Sequence, residues 1–488
     1  MGVKLVIKDE VNIKVEGLHL EARKKLANKF KYEIPYARYQ PAFKLGRWDG
    51  MVSMFGLGGN GFLSQLETVL SVLTDMGVAV DDVEDLRQPV DLAFTKVTET
   101  YWADLGKTWP KGHPQEGQPI MLRDYQVDAI NTFLANPQSL QEIATGAGKT
   151  ITTATLSHLC EPFGRTITIV PNKSLVEQTE EDFINVNLDV GVYYGDRKDL
   201  NKTHTICTWQ SLNILDKKSK NSEHDIVTLA EFLDGVRTVI VDEVHMAKAE
   251  VLKNLLTQNL SNACVRWGLT GTVPKEAFER EQIFASIGPV VGSIKAHELQ
   301  EKGVLSNCHV NVVQMLDVRE FKSYAEELKY LVTDDDRMIY ISNLIKTIAL
   351  EGNTLVLVNR IDSGKFIVNE IPGSVFISGA VKTTDRKEEY DEVRTSSNKV
   401  IVATYGVAAV GINIPRIFNL VLLEPGKSFV RVIQSIGRGI RKAEDKDFVK
   451  IWDLTSSCKY AKRHLTERKK FYKDAKYPFT IDKVDWQK

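Results

Sequence analysis

Cysteine is scarce in this sequence, and long apolar runs are absent. The five cysteines, Cys160, Cys207, Cys264, Cys308 and Cys458, show neither CxxC nor zinc-ligand spacing, which argues against a disulfide framework or a structural zinc site. No apolar run approaches the roughly 20 residues that a membrane-spanning helix requires. The charged, alternating N-terminus does not resemble a signal peptide. We therefore expect a cytoplasmic protein that does not contact membranes.

A net charge is almost absent as well. The 63 Lys and Arg residues against 64 Asp and Glu residues give a formal charge of −1. A nucleic-acid partner is neither indicated nor excluded by this balance, because the clustering of charge matters more than its sum. Hydrophobic residues at 43% and charged residues at 26% are typical of a globular protein. A chain of 488 residues favours about three domains.

The first part of the chain has the pattern of a small α+β domain, which we place at residues 1–115. It contains an alternating strand pair, a short helix, a further strand and an amphipathic helix. The corresponding segments are KLVIKDEVNIKVEG (4–17), HLEARKKLANKF (19–30), MVSMFG (51–56) and FLSQLETVLSVLTDMG (62–77). A linker rich in Gly and Pro, Leu105 to Met121, follows.

Beyond this linker, short apolar runs alternate with helical stretches. The runs are TITIV (166–170), TVIVD (238–242), TLVLV (354–358), KVIVAT (399–404) and LVLLEP (420–425). Strands that are apolar on both faces are typical of parallel sheets covered by helices. Their spread predicts two such sheets, in domains at 116–297 and 298–488, with a hinge within residues 294–307.

The segment EIATGAGKT (142–150) predicts a phosphate-binding loop. It matches the end of G-x-x-x-x-G-K-[ST], although Ile143 stands where the first glycine belongs. The loop residues Thr145, Gly146, Ala147 and Gly148 would surround the phosphates with backbone N–H groups. Lys149 would reach the β- and γ-phosphates, and Thr150 would bind Mg²⁺.

Two adjacent acids end a buried strand in TVIVDEVH (238–245). The carboxyl edge of an α/β sheet is where ligand-binding side chains collect. We predict that Asp242 binds Mg²⁺ and that Glu243 orients and deprotonates the attacking water. Together with the phosphate loop, these acids predict an ATP-binding site.

The segment FVRVIQSIGRGIRK (429–442) combines helical spacing with positive charge. Arg438 and Arg441 would lie on one face of a helix, with Gln434 one turn earlier. Positive charge aimed at a γ-phosphate stabilises the transition state of its transfer. If these side chains complete the site from the second domain, hydrolysis would drive a cycle of closing and opening.

These segments resemble the conserved motifs of superfamily 2 helicases and translocases, in the order that the family shows. They are LRDYQ (122–126), ATGAGKT (144–150), IVPNKSLVEQ (169–178), CTWQSL (207–212), DEVH (242–245), GLTGT (268–272), TLVLVNR (354–360), ATYGVAAVGINIP (403–415) and QSIGRGIR (434–441). The resemblance implies an α/β fold, with two RecA-like parallel-sheet domains in tandem preceded by the small α+β domain. ATP and Mg²⁺ would be the cofactors.

The same resemblance implies roles for individual side chains. Gln126 would read adenine, and Gly411 would approach the ribose side of the nucleotide. Contacts with the backbone of one nucleic-acid strand would come from Pro171, Asn172, Thr208, Gln210, Asn359 and Thr404. His245 and the segment Thr270, Gly271 and Thr272 would couple the ATP site to that strand. Thr270 and Thr404 could instead simply cap turns.

The segment ARYQPAFKLGRWDGMVSMF (37–55) interleaves cations with aromatic residues. Arg38, Lys44 and Arg47 suit contacts with phosphates, with bases or sugars packed against the rings. A strand and turn whose rings pack into the small core is the alternative, particularly for Trp48. The segment GRWDG (46–50) resembles the small domain that precedes the motor in phage recombination and repair helicases. The location would then be the host cytoplasm.

A basic helix is predicted near the end of the sequence, in CKYAKRHLTERKKFYKDAKYPF (458–479). It would either close the second domain as a solvated helix or lie on duplex phosphates.

The resemblance implies a monomeric ATP-dependent DNA helicase that remodels branched DNA and moves 3′ to 5′. Its partners would be branched DNA, duplexes with single-stranded regions, and RNA–DNA hybrids. The alternatives are a double-stranded DNA translocase of the restriction type that separates no strands, an ATP-dependent RNA helicase, and a nucleotide-gated binding protein without turnover. The presence of Lys149, Glu243 and Arg441 argues against the last alternative.

Overall fold

A computed structural model describes residues 2–113, 115–221, 227–245, 250–377, 396–407, 416–426, 436–437 and 445–488. Contacts divide the chain into two compact units. The first contains Met1–Ile143 and Gly148–Ser293, and the second contains Ala144–Ala147 and Ile294–Lys488. The N-terminal residues therefore belong to the same compact unit as Lys149 and Asp242. The three domain boundaries that the sequence suggests stay a prediction.

The N-terminal part of the first unit is a small α+β structure. Its elements are β1 (Val3–Ile7), β2 (Asn12–Glu16), α1 (Leu20–Lys29), β3 (Lys31–Glu33), a 3₁₀ turn (Ala37–Tyr39), α2 (Pro41–Lys44), β4 (Met51–Ser53), β5 (Asn60–Phe62), a second 3₁₀ turn (Leu63–Gln65), α3 (Leu66–Asp75), β6 (Val80–Asp85) and α4 (Tyr101–Asp104). A four-stranded sheet has the order β5-β2-β1-β6, and β3 pairs separately with β4. The predicted strand pair and both helices are confirmed.

Side-chain hydrogen bonds join this small sheet to the rest of the first unit. Asn12 donates to the carbonyl oxygen of Thr257 at 2.8 Å, and the Gln138 amide donates to the Glu10 carboxylate at 3.1 Å. These contacts link residues more than a hundred positions apart. They explain why the N-terminal residues group with the nucleotide-binding sheet.

The remainder of the first unit is built around a larger sheet. Its elements are α5 (Asp124–Ala135), β7 (Gln138–Ile143), α6 (Lys149–Leu159), a 3₁₀ turn (Glu161–Phe163), β8 (Arg165–Val170), α7 (Lys173–Asn185), β9 (Val190–Tyr194), β10 (Arg197–Lys198), β11 (His204–Thr208), α8 (Trp209–Lys220), α9 (Leu229–Phe232), β12 (Val236–Asp242), α10 (Glu250–Asn254), a π turn (Leu255–Asn259), β13 (Val265–Thr270), α11 (Ala277–Ser286) and β14 (Val290–Ile294). The described strand order is β10-β9-β11-β8-β12-β13-β7-β14.

The interior strands of this sheet are parallel. The pairs β9–β11, β11–β8, β8–β12, β12–β13 and β13–β7 all run in the same direction. Their apolar side chains, such as Val239 and Ile240 in β12, are fully buried. Parallel pairing brings the carboxyl ends of these strands to one edge of the sheet, where the predicted site residues follow them.

The second unit contains another parallel sheet. Its elements are α12 (Ala296–Glu301), β15 (Asn307–Met315), α13 (Tyr324–Thr333), α14 (Asp335–Ala349), β16 (Thr354–Val358), α15 (Ile361–Glu370), β17 (Val375–Ile377), β18 (Val400–Thr404), β19 (Asn419–Leu423), β20 (Phe448–Ser456), α16 (Lys459–Asp474) and β21 (Phe479–Val484). The described order is β17-β18-β16-β19-β20-β15-β21, and all of these neighbours are parallel.

The predicted α/β class with two parallel sheets after a small α+β structure is therefore confirmed. In the described part of the chain, no helix combines the length and the apolar character needed to cross a bilayer. The expected cytoplasmic location stays a prediction.

Candidate active site

The predicted phosphate loop lies between β7 and α6. Gly146 and Gly148 have φ values of +89° and +78°, a left-handed conformation that glycine adopts without steric cost. A Cβ atom at Gly148 would also lie 2.5 Å from Nε2 of Gln126. The backbone at these two positions therefore requires glycine, which leaves the N–H groups of the loop able to turn toward a bound anion.

Gln126 supports this loop from α5. Its Nε2 donates to the carbonyl oxygen of Gly148 at 3.4 Å, and its Oε1 accepts from the backbone N–H of Arg123 at 2.9 Å. The side chain is buried, with 5% of its surface exposed. Its position beside the loop suits a contact with a nucleotide, and adenine recognition stays a prediction.

Lys149 and the two predicted acids lie together at the carboxyl edge of the first sheet. The Lys149 ammonium is 2.9 Å from Oε1 of Glu243 and 3.6 Å from Oδ1 of Asp242. Only about a tenth of each side chain is exposed. Glu243 has a φ of +51°, and such left-handed backbone in a non-glycine residue is typical of functional sites. The structure thus places one cation between two carboxylates.

The shared cation affects the two acids differently. Burial raises the pKa of Asp242 above its usual range, and the Lys149 ammonium only partly opposes this. Burial alone would also raise the pKa of Glu243, but Lys149 and His245 hold it well below its usual range. Glu243 is therefore ionised at neutral pH, as a group that accepts a proton from water must be.

His245 links Glu243 to the end of the next strand, β13. Its Nδ1 lies 3.3 Å from Oε2 of Glu243 and 3.0 Å from the Thr270 hydroxyl. That hydroxyl donates its single proton to the carbonyl oxygen of Thr272 at 2.9 Å. Nδ1 must therefore be the donor in the His245–Thr270 bond. His245, Thr270 and Thr272 thus form a continuous series of polar contacts with Glu243, in which the Nδ1–H of His245 faces both Glu243 and Thr270.

The donors for a metal ion are oxygen atoms. Thr150 and Asp242 provide a hydroxyl and a carboxylate, which are ligands that Mg²⁺ accepts alongside substrate phosphates and water. In the described residues, no group of three or more His, Cys, Asp or Glu side chains is arranged to hold a metal. A site that relies on phosphate oxygens does not require such a group. The chemistry of these side chains therefore fits Mg²⁺ held together with a nucleotide.

Asp182 is a residue of this site that sequence reasoning missed. Its carboxyl on α7 bonds the Thr150 hydroxyl, which lowers its pKa, but the packing around it dominates and raises that pKa to about 6. In the sequence, Asp182 belongs to the acidic segment EEDF (180–183), which resembles an ordinary solvated helix face. Only the packing of α7 against α6 distinguishes it from its neighbours.

The predicted strand contacts of the first sheet lie at neighbouring strand ends. β8 ends at Val170, paired with Thr208 at the end of β11. Asn172 caps α7 by accepting from the Leu175 N–H at 3.1 Å, and Thr208 caps α8 by accepting from the Ser211 N–H at 3.3 Å. Gln210 donates to the carbonyl oxygen of Pro171 at 3.2 Å. The sheet brings all four predicted residues together, and their contact with nucleic acid stays a prediction.

Two further predicted contacts follow neighbouring strands of the second sheet. Val358 pairs with Thr404, so Asn359 and Thr404 lie close to each other. The Thr404 hydroxyl accepts from the Val407 N–H at 3.4 Å, and the Asn359 amide donates to the carbonyl oxygen of Glu424 at 2.6 Å. Both side chains therefore stabilise local backbone in this structure.

The three N-terminal cations, Arg38, Lys44 and Arg47, are all exposed. Trp48, the alternative core residue, is half-buried and donates from Nε1 to the carbonyl oxygen of Met51 at 2.8 Å. The three cations are therefore on the surface, whereas the Trp48 ring is part of the packed structure. The cations remain accessible to phosphates.

Gly411, Gln434, Arg438 and Arg441 lie outside the described residues. Their predicted roles beside the ribose and the γ-phosphate therefore stay predictions.

The predicted basic helix is α16, and one of its arginines is not on a basic surface. Arg468 is 1% exposed. Its guanidinium donates to both carboxylate oxygens of Asp453, at 2.8 and 2.9 Å. This residue anchors α16 to β20 and is not available to duplex phosphates.

Comparisons with known proteins agree with this arrangement. A model of the type III restriction enzyme res subunit matches residues 119–275, and a model of the helicase conserved C-terminal domain matches residues 328–443. The ATP-dependent DNA helicase uvsW of Enterobacteria phage T4 is 24% identical, over 91% of this chain and 88% of its own length. The DNA 3′-5′ helicase XPB of Mycobacterium tuberculosis is 23% identical, over 78% of this chain and 68% of its own length.

A solved structure shares the fold. The ATP-dependent type ISP restriction-modification enzyme LlaBIII bound to DNA aligns with 83% of this chain and 33% of its own chain, at a TM-score of 0.57 and 16% identity. The two family models match separate parts of the chain: the first range contains β7 to β13, and the second contains β16 to β19. By its motifs, its two RecA-like domains and these relatives, the chain belongs to the superfamily 2 helicases, which are nucleic-acid-dependent ATPases.

Proposed function

We propose that this protein is an ATP-driven DNA motor that remodels branched DNA. Its activities would include branch migration, fork regression, unwinding of displacement loops and R-loops, and strand annealing, in recombination, repair and replication. The relatives named as DNA helicases support DNA as the substrate. The observation that carries the proposal is the path from Lys149 and Glu243 through His245 to Thr272.

In this proposal, Lys149 and the loop N–H groups hold the phosphates. Thr150 and Asp242 would hold Mg²⁺, which would supply further positive charge to the phosphates. Glu243, which Lys149 and His245 keep ionised, accepts a proton from the attacking water. Arg438 and Arg441 stabilise the charge on the transferred phosphoryl group, with Gln434 beside them. Nearly all of the catalytic effect is then positioning and electrostatics.

His245 and Thr270 transmit the state of the ATP site. When the γ-phosphate leaves, Lys149 loses a negatively charged partner and returns to the 2.9 Å contact with Glu243 seen in this structure. A shift of Glu243 alters the His245 hydrogen bond to Thr270 and hence the segment that ends at Thr272. The proposed result is a change in grip on the DNA strand at each turnover.

A double-stranded DNA translocase that separates no strands is the second candidate. It is favoured by the match of residues 119–275 to a restriction-enzyme subunit and by the fold shared with a restriction-modification enzyme.

The test measures ATP hydrolysis without nucleic acid and with single-stranded RNA, single-stranded DNA, linear duplex and a four-way junction. We expect the junction, or a fork, to stimulate hydrolysis most. Strongest stimulation by linear duplex without strand displacement would support the translocase, and strongest stimulation by RNA would support an RNA helicase. Nucleotide binding without hydrolysis under every condition would contradict the motor altogether.

A further inference from the structure

Four large apolar side chains project from one short surface segment of the first unit. Tyr36, Tyr39, Phe43 and Leu45 are 51%, 66%, 39% and 64% exposed, respectively. They lie within ten residues, on the 3₁₀ turn Ala37–Tyr39, on α2 and beside them. We call these four side chains the aromatic knob. Four large exposed apolar side chains within ten residues make this segment a candidate binding surface.

The base of the knob is packed against buried side chains. Ile34, Ala37 and Phe278 are buried together beneath it, at 8%, 3% and 7% exposure. Gly50, at a φ of +78°, lies so close that an added Cβ would be 3.0 Å from Ala37 and from the Phe43 ring. This close contact holds α2 in a fixed position. Exposed side chains on a rigid base are preorganised for binding, because little conformational entropy is lost when a partner binds.

The charges around the knob favour a nucleic acid over a protein as its binding partner. Residues 34–48 contain Arg38, Lys44 and Arg47 and no Asp or Glu. The Arg38 guanidinium lies over the Tyr39 ring, 5.0 Å from its centroid. Aromatic faces flanked by cations that follow a phosphate backbone are the combination that single-stranded nucleic acids bind. Base stacking on a ring depends on the flat face alone, so it needs no particular sequence.

The knob is also connected to the predicted coupling segment. Phe278, which lies under it, belongs to α11, and α11 begins five residues after Thr272. The path from Glu243 through His245 and Thr270 ends at Thr272. The end of that path therefore lies five residues before the start of the helix that supports the knob.

We propose that the aromatic knob stacks on the base exposed where a duplex opens at a branch, with Tyr39 as the principal stacking residue. This assigns a base-contacting site to the N-terminal part, beyond the phosphate contacts of Arg38, Lys44 and Arg47. It rests on the proposed function as a branched-DNA motor. The knob keeps the opened base pair from closing while the motor advances along one strand.

The experiment uses the full chain and a DNA fork that carries 2-aminopurine at the junction base. Binding of wild type should change the fluorescence of this base. Tyr39→Ala should abolish the change and weaken fork binding by about fivefold to a hundredfold, the range found for the loss of one stacked base. Tyr39→Phe, which keeps the ring, should behave as wild type, whereas Tyr39→Leu should resemble Tyr39→Ala.

Two controls separate stacking from other effects. A blunt duplex of equal length has no unpaired base within its stack, so Tyr39→Ala should bind it as tightly as wild type does. Leu57→Ala removes an apolar side chain of similar exposure, 56%, outside the knob, and should bind the fork as wild type does. Thermal unfolding of Tyr39→Ala should match wild type, because the side chain is on the surface.

Fork binding by Tyr39→Ala at wild-type affinity would overturn the knob, and a protein partner would then be the better occupant. Equal losses on fork and duplex would overturn it too, since a general contact is not stacking at a branch. Neither result affects the proposed motor, which depends on stimulation of wild-type ATP hydrolysis by junctions. Absence of that stimulation, with normal stacking by Tyr39, would instead refute the motor alone.

Discussion

The two parallel sheets each carry a buried cluster of opposite charges, and the clusters are built differently. In the first unit, Lys149 stands between Asp242 and Glu243, with about a tenth of each side chain exposed. In the second unit, Arg468 faces both oxygens of Asp453, and neither side chain is more than 1% exposed. In the first cluster one cation is shared by two acids, whereas in the second cluster one arginine is paired with one aspartate.

The difference shows in the protonation of the groups. Burial raises the pKa of Asp242, while Lys149 and His245 depress that of Glu243, so the two acids of one cluster are driven apart. Burial alone would lower the pKa of Arg468, but Asp453 holds it above its usual range. Two titratable groups with separated pKa values are typical of catalytic sites, and a matched buried pair is typical of a structural role.

The largest expected effect follows from removing the proton acceptor in the first cluster. Glu243→Gln keeps the shape of the side chain but cannot take a proton from water, so turnover should fall by about a hundredfold to ten-thousandfold. ATP should still bind. Steady-state hydrolysis and the affinity for a fluorescent nucleotide measure the two effects separately.

The matched control for that variant is Glu84→Gln, at an exposed position in the small N-terminal sheet. It should hydrolyse ATP as wild type does. Turnover by Glu243→Gln close to the wild-type rate would show that Glu243 is not the proton acceptor. The first cluster would then no longer differ from the second by a catalytic role.

The next effect should appear in stability and not in chemistry. Asp453→Asn leaves the Arg468 guanidinium buried without its counter-charge, which costs about 3–5 kcal/mol. Tyr472→Phe removes only a hydroxyl that donates to the Asp453 carboxylate at 2.7 Å and should cost less, about 1.5–3 kcal/mol. Denaturant unfolding of both variants gives the comparison. Equal stability of Asp453→Asn and wild type would show that the second cluster is not structural.

The smallest expected effect concerns the pH dependence of the second unit. Burial raises the pKa of Glu424 to about 7, although Arg337 opposes this from 3.0 Å. A carboxyl whose folded pKa is raised contributes most stability below its unfolded value of about 4.3, and that contribution is lost as pH rises toward 7. The part of this contribution that is lost between pH 5 and pH 7 is about 2–3 kcal/mol.

Glu424→Gln removes this titration. Relative to wild type, the variant should therefore gain stability between pH 5 and pH 8, which thermal midpoints at the two pH values measure. A difference between the two proteins that does not change with pH would show that Glu424 stays ionised throughout, as a fully compensated ion pair would.

Local patterns predicted much of this fold. The apolar runs became β8, β12, β16, β18 and β19, close to their predicted limits, because strands buried on both faces must be apolar throughout. The glycines of the phosphate loop were also predictable, since their left-handed backbone is a local requirement. The pairing of β6 with β1 was not predicted, because the acidic sequence of β6 lacks the alternation that marks a strand.

The roles of single residues within segments of uniform charge could not be predicted from the sequence. Arg468 is one of several basic residues in α16, and only its position opposite Asp453 makes it a buried anchor. Asp182 differs from its acidic neighbours only by its bond to Thr150. Likewise, the sequence predicts one basic and aromatic surface at residues 37–55, but its aromatic residues differ. Trp48 is hydrogen-bonded to Met51, whereas Tyr39 is exposed.

The sequence by itself determined the two parallel sheets, the phosphate loop and the acids that end β12, because each depends on residues close together in the chain. Only the tertiary structure decided which charged side chains form one-to-one ion pairs and which share a partner. Those partnerships join residues such as Lys149 and Glu243, which are 94 positions apart, and their energies depend on distance and burial, which no local pattern encodes.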